Sequence, residues 1–490
     1  MENATHLRLP YRKTLYLFFS GKQDNGQQIL SQSHSEEKTN TDLMFDISVL
    51  AVENCCKPSK GSIRTGIGFL DHMVDQLNSH AQIGVSLQIS SNSISSNEDD
   101  FKSHDEYVNR FASVEQAEIQ SLVGATLGTE FRRLLDQSCP ANGSSSHQSH
   151  FGCPLDEALV FCTLEFEPKA TTGALEVYNL APYGKFPASG RRLLGQLQIQ
   201  TLESAFWSAL ARTSGLKIRL EKLSGDNAHH IVESSFKAFS RALRNLLDGV
   251  DTTLIMEEKE TPKNNRMLDA LYGPKSANYK ESAALARTAA VSRKTKETSI
   301  EAELKMDGGV SGVSVITGIP IIDSFYTTMF KAASMSVKIA CTGDLWIDDH
   351  HTSEDVSIAV GQVIAQALGT KAGLNRMWSA SSSAVSVIVD LSNRPMLTTH
   401  KLTEILVGSD VEVCDGLALE MWEHVLDSLV VQARMTCHIV VAPCAGKGEE
   451  KVRQTMQSLA QALGEALMYC AVVDQRRAGS TASSKGTLSV

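Results

Sequence analysis

The sequence predicts an α+β protein with sheets covered by helices, built twice over. Two observations carry this prediction. The first is an internal repeat: TGIGFLDHMVDQLNSHAQIGVSLQI, from Thr65, aligns with TGIPIIDSFYTTMFKAASMSVKIA, from Thr317, through TGI, an Asp and a matching apolar strand. FKAFSRALRNLL from Phe236 likewise shares its helical apolar spacing with MQSLAQALGEAL from Met456, 220 residues later. The second is the hand-over from strands such as SMSVKIACTGDLWI to helices such as TSEDVSIAVGQVIAQALG, which places motifs where strands give way to helices.

In chain order, the repeat defines a first half over 1–248 and a second over 291–490. The stretch 249–290 between them contains MEEKETPKNNR, whose charge and Pro suit an exposed linker. A length of 490 residues is more than one ordinary core requires, which agrees with two domains. Two polar insertions in the first half, KQDNGQQILSQSHSEEKTN and SCPANGSSSHQSH, hold too few apolar residues to pack and are read as surface loops.

Composition excludes several classes. Although 42% of residues are hydrophobic, no apolar run approaches the roughly 18 residues that span a bilayer, so a membrane helix is not expected. The apolar patch Leu15–Phe19 is too short for a secretion signal. Ten cysteines lack CxxC spacing, and Cys55 and Cys56 are neighbours, so a reducing, cytoplasmic setting is expected. A net charge of −10 argues against nucleic acid as a partner, while a small anion needs only a local cluster of Arg and Lys.

DDHHTSED, Asp348 to Asp355, opens an amphipathic helix. His350 and Glu354 are four residues apart and share a face, and His351 points about 100° around the axis. NAHHIVESSFK repeats the pattern, with His229 and Glu233 on one face and His230 turned away. Neutral imidazole with carboxylate suits Mn, Fe or Zn. One HHxxE behind an Asp or Asn reads equally well as a capped helix start. Two copies in one chain favour a pair of metals.

GFLDHM, DDHHTSEDVSIAVGQ, DLSNRP, NAHHIVESSFKAFSRAL and a terminal SSKGTL together resemble the imidazoleglycerol-phosphate dehydratase family, over most of both halves. The resemblance implies two fused dehydratase-like domains, each a pair of βββαβα units of the ribosomal S5 domain 2-like kind. It also implies a homo-oligomer: family subunits form a cage of about twenty-four, which about twelve fused chains would reproduce.

Departures from the family pattern are complementary. In the first half RFASVEQ aligns with DDHHTSED, with Phe111 and Ala112 in place of the His pair, and Lys217 stands opposite His438. In the second half Ser324 aligns with His72, Ala332 with His80, and Glu449, Glu450 and Arg453 with His229, His230 and Glu233. Neither half is complete, yet the retained ligands make one family set for two Mn2+ ions per composite site. The resemblance assigns His72, His229, Glu233 and His351 to one ion and His230, His350, Glu354 and His438 to the other.

It further implies that Glu297, His72 and His351 are catalytic, with Glu297 of RKTKETSI as general base on the substrate chain. Arg376, Arg394, Ser483, Ser484 and Lys485, with His80 and Lys237 from the first half, match contacts to a small phosphorylated imidazole substrate, whose phosphate suits convergent Arg, Lys and hydroxyl donors. The implied reaction dehydrates D-erythro-imidazoleglycerol phosphate to imidazole-acetol phosphate, a step of histidine biosynthesis. Asp71, Asp348, Asp349 and Asp355 either orient metal-bound histidines or cap helices. Asp156 and Glu157 match a DEA segment of the family and take no assigned role. Two other readings compete, an inactive metal-binding scaffold of the same family and a dinuclear metallohydrolase. Linker length permits the two contributions to a site to come from one chain or from adjoining chains.

Overall fold

The computed structural model describes residues 5–9, 45–54, 62–91, 109–111, 116–139, 146–249, 287–307, 309, 312–443, 446–477, 479–481, 483 and 488. The insertion at 22–40, residue Ala112, most of the linker, and Ser484 and Lys485 lie outside the described residues.

Four βββαβα units follow one another. The first comprises β1 (Thr5–Leu9), β2 (Phe45–Asn54), β3 (Ile63–Arg64), α1 (Gly68–Gln76), β4 (Ile83–Ser91) and α2 (Ala117–Ser138). The second comprises β5 (His147–Leu155), β6 (Ala158–Phe166), β7 (Ala174–Tyr178), a small hairpin of β8 (Leu193–Leu194) and β9 (Leu197–Gln198), α3 (Ser208–Ser214), β10 (Leu216–Ser224) and α4 (Ala228–Leu247). The third comprises β11 (Thr288–Lys294), β12 (Thr298–Lys305), β13 (Val313–Ile316), α5 (Pro320–Ala332), β14 (Ser336–Gly343) and α6 (His350–Leu368). The fourth comprises β15 (Met377–Ser382), β16 (Val385–Asp390), β17 (Met396–His400), α7 (Leu402–Val407), a hairpin of β18 (Val413–Cys414) and β19 (Leu417–Ala418), α8 (Met421–Ala433), β20 (Thr436–Val441) and α9 (Gly448–Ala471).

Every unit builds the same four-stranded sheet, ordered first, second, fourth, third strand. The third strand returns parallel to the fourth across a helix, and the other pairings are antiparallel. Strand sequence fixes which face is covered. TSIEAELK of β12 alternates buried and exposed residues, and α6 packs on the apolar side. The α+β prediction, two halves of two units each, holds. The halves join where β5 meets β15, β16 and β20. Arg241 on α4 donates to both the side chain and the carbonyl of Asn375, at 2.6 Å each.

Two details fix the register of the repeat. Thr65 donates through its N–H and hydroxyl to Asp71 Oδ1 at 2.7 and 2.6 Å, and Thr317 does the same to Asp323 at 2.8 and 2.7 Å. The residues before α2 and α6, Gln116 and Asp349, share φ and ψ within a few degrees (−91, −12 and −88, −7). Their side chains accept the N–H of Gln198 and of Ala418, equivalent positions in the two hairpins. Ala117, Glu118 and Ser121 therefore stand where His350, His351 and Glu354 stand. This corrects the alignment of Phe111 and Ala112 with the His pair. The connection from β4 to α2 is longer than that from β14 to α6, and motif matching slid along it. Phe111 is a core residue, its ring 5.2 Å from Phe45.

Two boundaries also move. His147–His150, read as the end of a polar loop, are the start of β5, paired with β6 from His147 opposite Phe166. β11 begins at Thr288, inside the stretch read as linker.

Candidate functional site

The first cluster is built on α1 and α4. Asn227 caps α4 by accepting the His229 N–H at 2.9 Å, which starts the helix with both histidines in its first turn. His229 Nε2 then lies 2.9 Å from Glu233 Oε2, and His72 Nε2, from α1, lies 3.9 Å from the same oxygen. Donor atoms of the three residues fall within 4.8 Å of one another. Two imidazoles and a carboxylate at this separation fit around one divalent ion with bonds of about 2.0–2.2 Å. Burial raises the Glu233 carboxyl, but the Lys237 ammonium at 2.8 Å, with the bond from His229 and the nearby His72, overrides it and holds the group far below the ordinary carboxylate range. Glu233 is thus an anion ready to ligate.

His230 points away, as helical spacing predicts, with its ring centre 6.1 Å from that of His229. Its Nδ1 is 2.8 Å from Glu157 Oε2, and its Nε2 is 3.6 Å from Asp156 Oδ2. Asp156 occupies the tight β5–β6 turn at φ +50° and gathers two residues from the other half. Its carbonyl accepts from His438 Nε2 at 2.7 Å, and its Oδ1 lies 3.2 Å from Arg394 Nε. Burial pushes His438 down to about 4, so it is neutral, as a ligand must be. For Nε2 to bind an ion, its bond to the Asp156 carbonyl must open.

The third cluster sits at the start of α6. His350 Nε2 is 3.4 Å from Glu354 Oε2, and the His350 ring lies 5.4 Å from His424 on α8. His351 Nδ1 is 3.1 Å from Asp344 Oδ2, a bond that raises its pKa. The charge of Glu297, exposed in the β11–β12 turn, adds to that rise. Among the described residues no hydrogen bond, ion pair or ring contact joins this cluster to the other two. α6 packs instead on β11, β12, β14 and α8.

Of the sequence-predicted substrate residues, Lys237 adjoins the first cluster through Glu233, and its charge reaches His80. His80 is fully buried, and both ring nitrogens are without a hydrogen-bond partner among the described residues. Burial keeps it neutral, reinforced by the charges of Lys237, Arg241, Arg376 and Arg477 around it. Arg376 is itself buried in a fork to Asp390, at 2.6 and 2.7 Å. The Ser483 N–H donates to the Thr481 carbonyl at 2.7 Å.

Carboxylates that orient the histidines differ from those proposed from sequence. Asp71 holds Thr65, Asp348 accepts the His350 N–H at 3.0 Å, Asp349 fastens the β18–β19 hairpin, and Asp355 binds Arg293 and Thr298 at 2.6 Å each. None of the four bonds an imidazole. Asp344 and Glu157 do. Lys217, read opposite His438, stands instead opposite Thr436, because the left-handed residue that ends the preceding helix is Gly215 in one half and Arg434 in the other; Arg219 takes the place of His438, and Lys217 is exposed and pairs with Glu165 and Glu167.

A sequence model of a family described as imidazoleglycerol-phosphate dehydratase matches residues 65–243 and 317–467. The chain is 36% identical over 215 residues to imidazoleglycerol-phosphate dehydratase 3, chloroplastic, of Triticum aestivum, covering 43% of this chain and 75% of that one. It is 37% identical over 211 residues to the chloroplastic enzyme of that name from Pisum sativum, covering 41% and 69%. The crystal structure of imidazoleglycerol-phosphate dehydratase from Staphylococcus aureus is similar at 22% identity and a TM-score of 0.31, over 37% of this chain and 99% of that one.

Proposed function

The chain belongs to the imidazoleglycerol-phosphate dehydratase family, and from that premise we propose that it dehydrates D-erythro-imidazoleglycerol phosphate to imidazole-acetol phosphate in histidine biosynthesis, at a composite two-manganese site. The observation that carries the composite reading is the convergence of His72, His229 and Glu233 on one point, with His230 and His438 brought to either side of Asp156. His350, His351 and Glu354 lie apart from them, so a second copy of the chain supplies these ligands. The protein is therefore a homo-oligomer. The free thiols of all seven described cysteines support a reducing compartment such as the cytoplasm. Among the described residues, no helix is long and apolar enough to cross a membrane.

When bound, the ions supply Lewis-acid polarisation of the substrate ring. The protein's own groups do the rest. Glu297 takes the proton from the substrate chain carbon, and the second copy that encloses it removes competing water. Lys237, His80, Arg394 and Ser483 receive the phosphate, with Arg376 held in position by Asp390. The Lys237 ammonium also balances Glu233, so the first cluster stays charged without reaching for a proton.

The test is to load the full chain with Mn2+ and follow the appearance of imidazole-acetol phosphate. We expect turnover, reduced at least on the order of 100-fold in His229→Ala and in His350→Ala, since even outer partners of metal ligands are worth 10–100-fold. A folded, Mn-loaded chain without turnover would support the scaffold reading. Release of inorganic phosphate without the ketone product would support a hydrolase.

A further inference from the structure

We propose that the second half's copy of the metal corner is filled by the Arg453 guanidinium, a built-in cation that takes the place of the ion and keeps one out. The register is fixed by the helices. His229 is the second residue of α4 and Glu449 the second residue of α9, so Arg453 stands one turn further on, where the first half has Glu233. α9 packs on α5 and on β18, as α4 packs on α1 and α1 on β9. The same pair of helices meets at both corners, with a hairpin beside each.

Their chemistry is inverted. In the first half two imidazoles and one carboxylate converge, and the Lys237 ammonium balances Glu233 from its other oxygen, Oε1, at 2.8 Å. In the second half Arg453 stands in place of the carboxylate, Glu449 and Glu450 in place of His229 and His230, and Ser324 in place of His72. Arg453 Nε and Nη2 reach Asp415 Oδ2 and Oδ1 at 2.5 and 2.9 Å, Nη2 reaches Glu449 Oε2 at 2.6 Å, and Nη1 lies 3.6 Å from Glu450. This planar fork on paired carboxylates is a geometry that Arg favours. Asp415 sits in the β18–β19 turn, and its carbonyl accepts the Ile321 N–H at the start of α5. Arg453 thereby ties α9 to the hairpin and, through it, to α5.

Without the guanidinium the corner would hold a ligand set. Donor atoms of Cys414, Asp415 and Glu449 fall within 4.8 Å of one another, one of only two such groups among the described residues. The adjoining pocket is closed as well. Gly464 occupies the place of Arg244, and a Cβ there would lie 2.1 Å from the Met329 carbonyl oxygen and 2.7 Å from Ala332 Cβ. α9 and α5 are thus in direct contact where the first half surrounds His80. The second corner is a structural joint, which leaves His72, His229 and Glu233 as the one imidazole and carboxylate corner of this kind among the described residues.

The inference rests in one respect, the metal role of His72, His229 and Glu233, on the proposed function, and its test separates the two. The full chain is titrated with Co2+ and the thiolate-to-cobalt charge-transfer band is followed, a signal the histidine and carboxylate ligands of the first corner do not give. We expect no thiolate band in the native protein. Arg453→Ala should gain the band together with one further equivalent of Co2+, and adding Cys414→Ser should abolish both. Arg453→Gln, which keeps most of the side-chain stem, serves if the alanine variant does not fold. A band in the native protein that Cys414→Ser removes would overturn the proposal, as would folded Arg453→Ala and Arg453→Gln chains that take up no further Co2+. Failure of the metal role would show separately, as absence of the weaker cobalt absorption of histidine and carboxylate ligands in the native protein.

Discussion

Glu157 Oε2 stands 2.8 Å from His230 Nδ1, and Asp344 Oδ2 stands 3.1 Å from His351 Nδ1, so each HH pair has one imidazole whose tautomer a carboxylate fixes. With the proton held on Nδ1, Nε2 is the atom offered to an ion. Glu157 also accepts the N–H groups of Asp226 and Asn227 through Oε1, so Glu157→Gln keeps a cap for α4 while removing the charge behind His230. We expect Mn2+ affinity at the His230 position to fall about 10–100-fold with little change in the urea midpoint, both read on the purified chain. Unchanged affinity would rule out an orienting role. The pairing of His229 with Glu233 and of His350 with Glu354 was legible in the sequence because HHxxE spacing is set by the helix alone. Their orienting partners were not. Glu157 lies 73 residues before His230 and reaches it only across a tertiary contact. Asp71, Asp348 and Asp349 are close to the histidines in sequence, but each satisfies a backbone N–H instead, the bond a short carboxylate makes most readily.

Local apolar patterning gave the repeat and the hand-over from strands to helices, and the family resemblance implied the four units. What patterning could not supply was register across an insertion, as at the start of α2, or a strand made of polar residues. HQSH opens β5 because β6 offers it a ladder at the sheet edge, so pairing overrides composition. The contact of α9 with α5 gives a prediction at the same scale. Gly464 lies inside a helix, where Ala would ordinarily be favoured by about 1 kcal/mol. Here its Cβ would meet the Met329 backbone at 2.1 Å, and neither helix can yield without moving the sheets beneath them. Gly464→Ala should therefore destabilise the protein by about 1–3 kcal/mol, measured by urea unfolding. A rise in stability would show that the two helices are not in the close contact described.

For the molecule as a whole, the family resemblance implied candidate ligands divided in a complementary way between the halves but not how the chain would deploy them. His438 crosses to the first half's cluster because β20 abuts the β5–β6 turn, whereas Glu297, His350, His351 and Glu354 remain on a separate face of α6 and β11–β12. No local pattern encodes which faces of two copies will meet, so this division became visible only in three dimensions. It makes the proposed site a property of the assembly, and mixing experiments can decide it. His72→Ala damages one face and His350→Ala the other, and each chain alone should assemble without appreciable turnover. Co-assembled in equal amounts, a site that draws its two faces at random from different chains has about one chance in four of receiving both intact, so about a quarter of native activity should return. If one chain supplied both faces, every site would keep a damaged ligand and mixing would restore nothing. That result would place the whole site within a single chain and require α6 to move toward α4, a rearrangement against the packing of α6 on β11, β12 and β14.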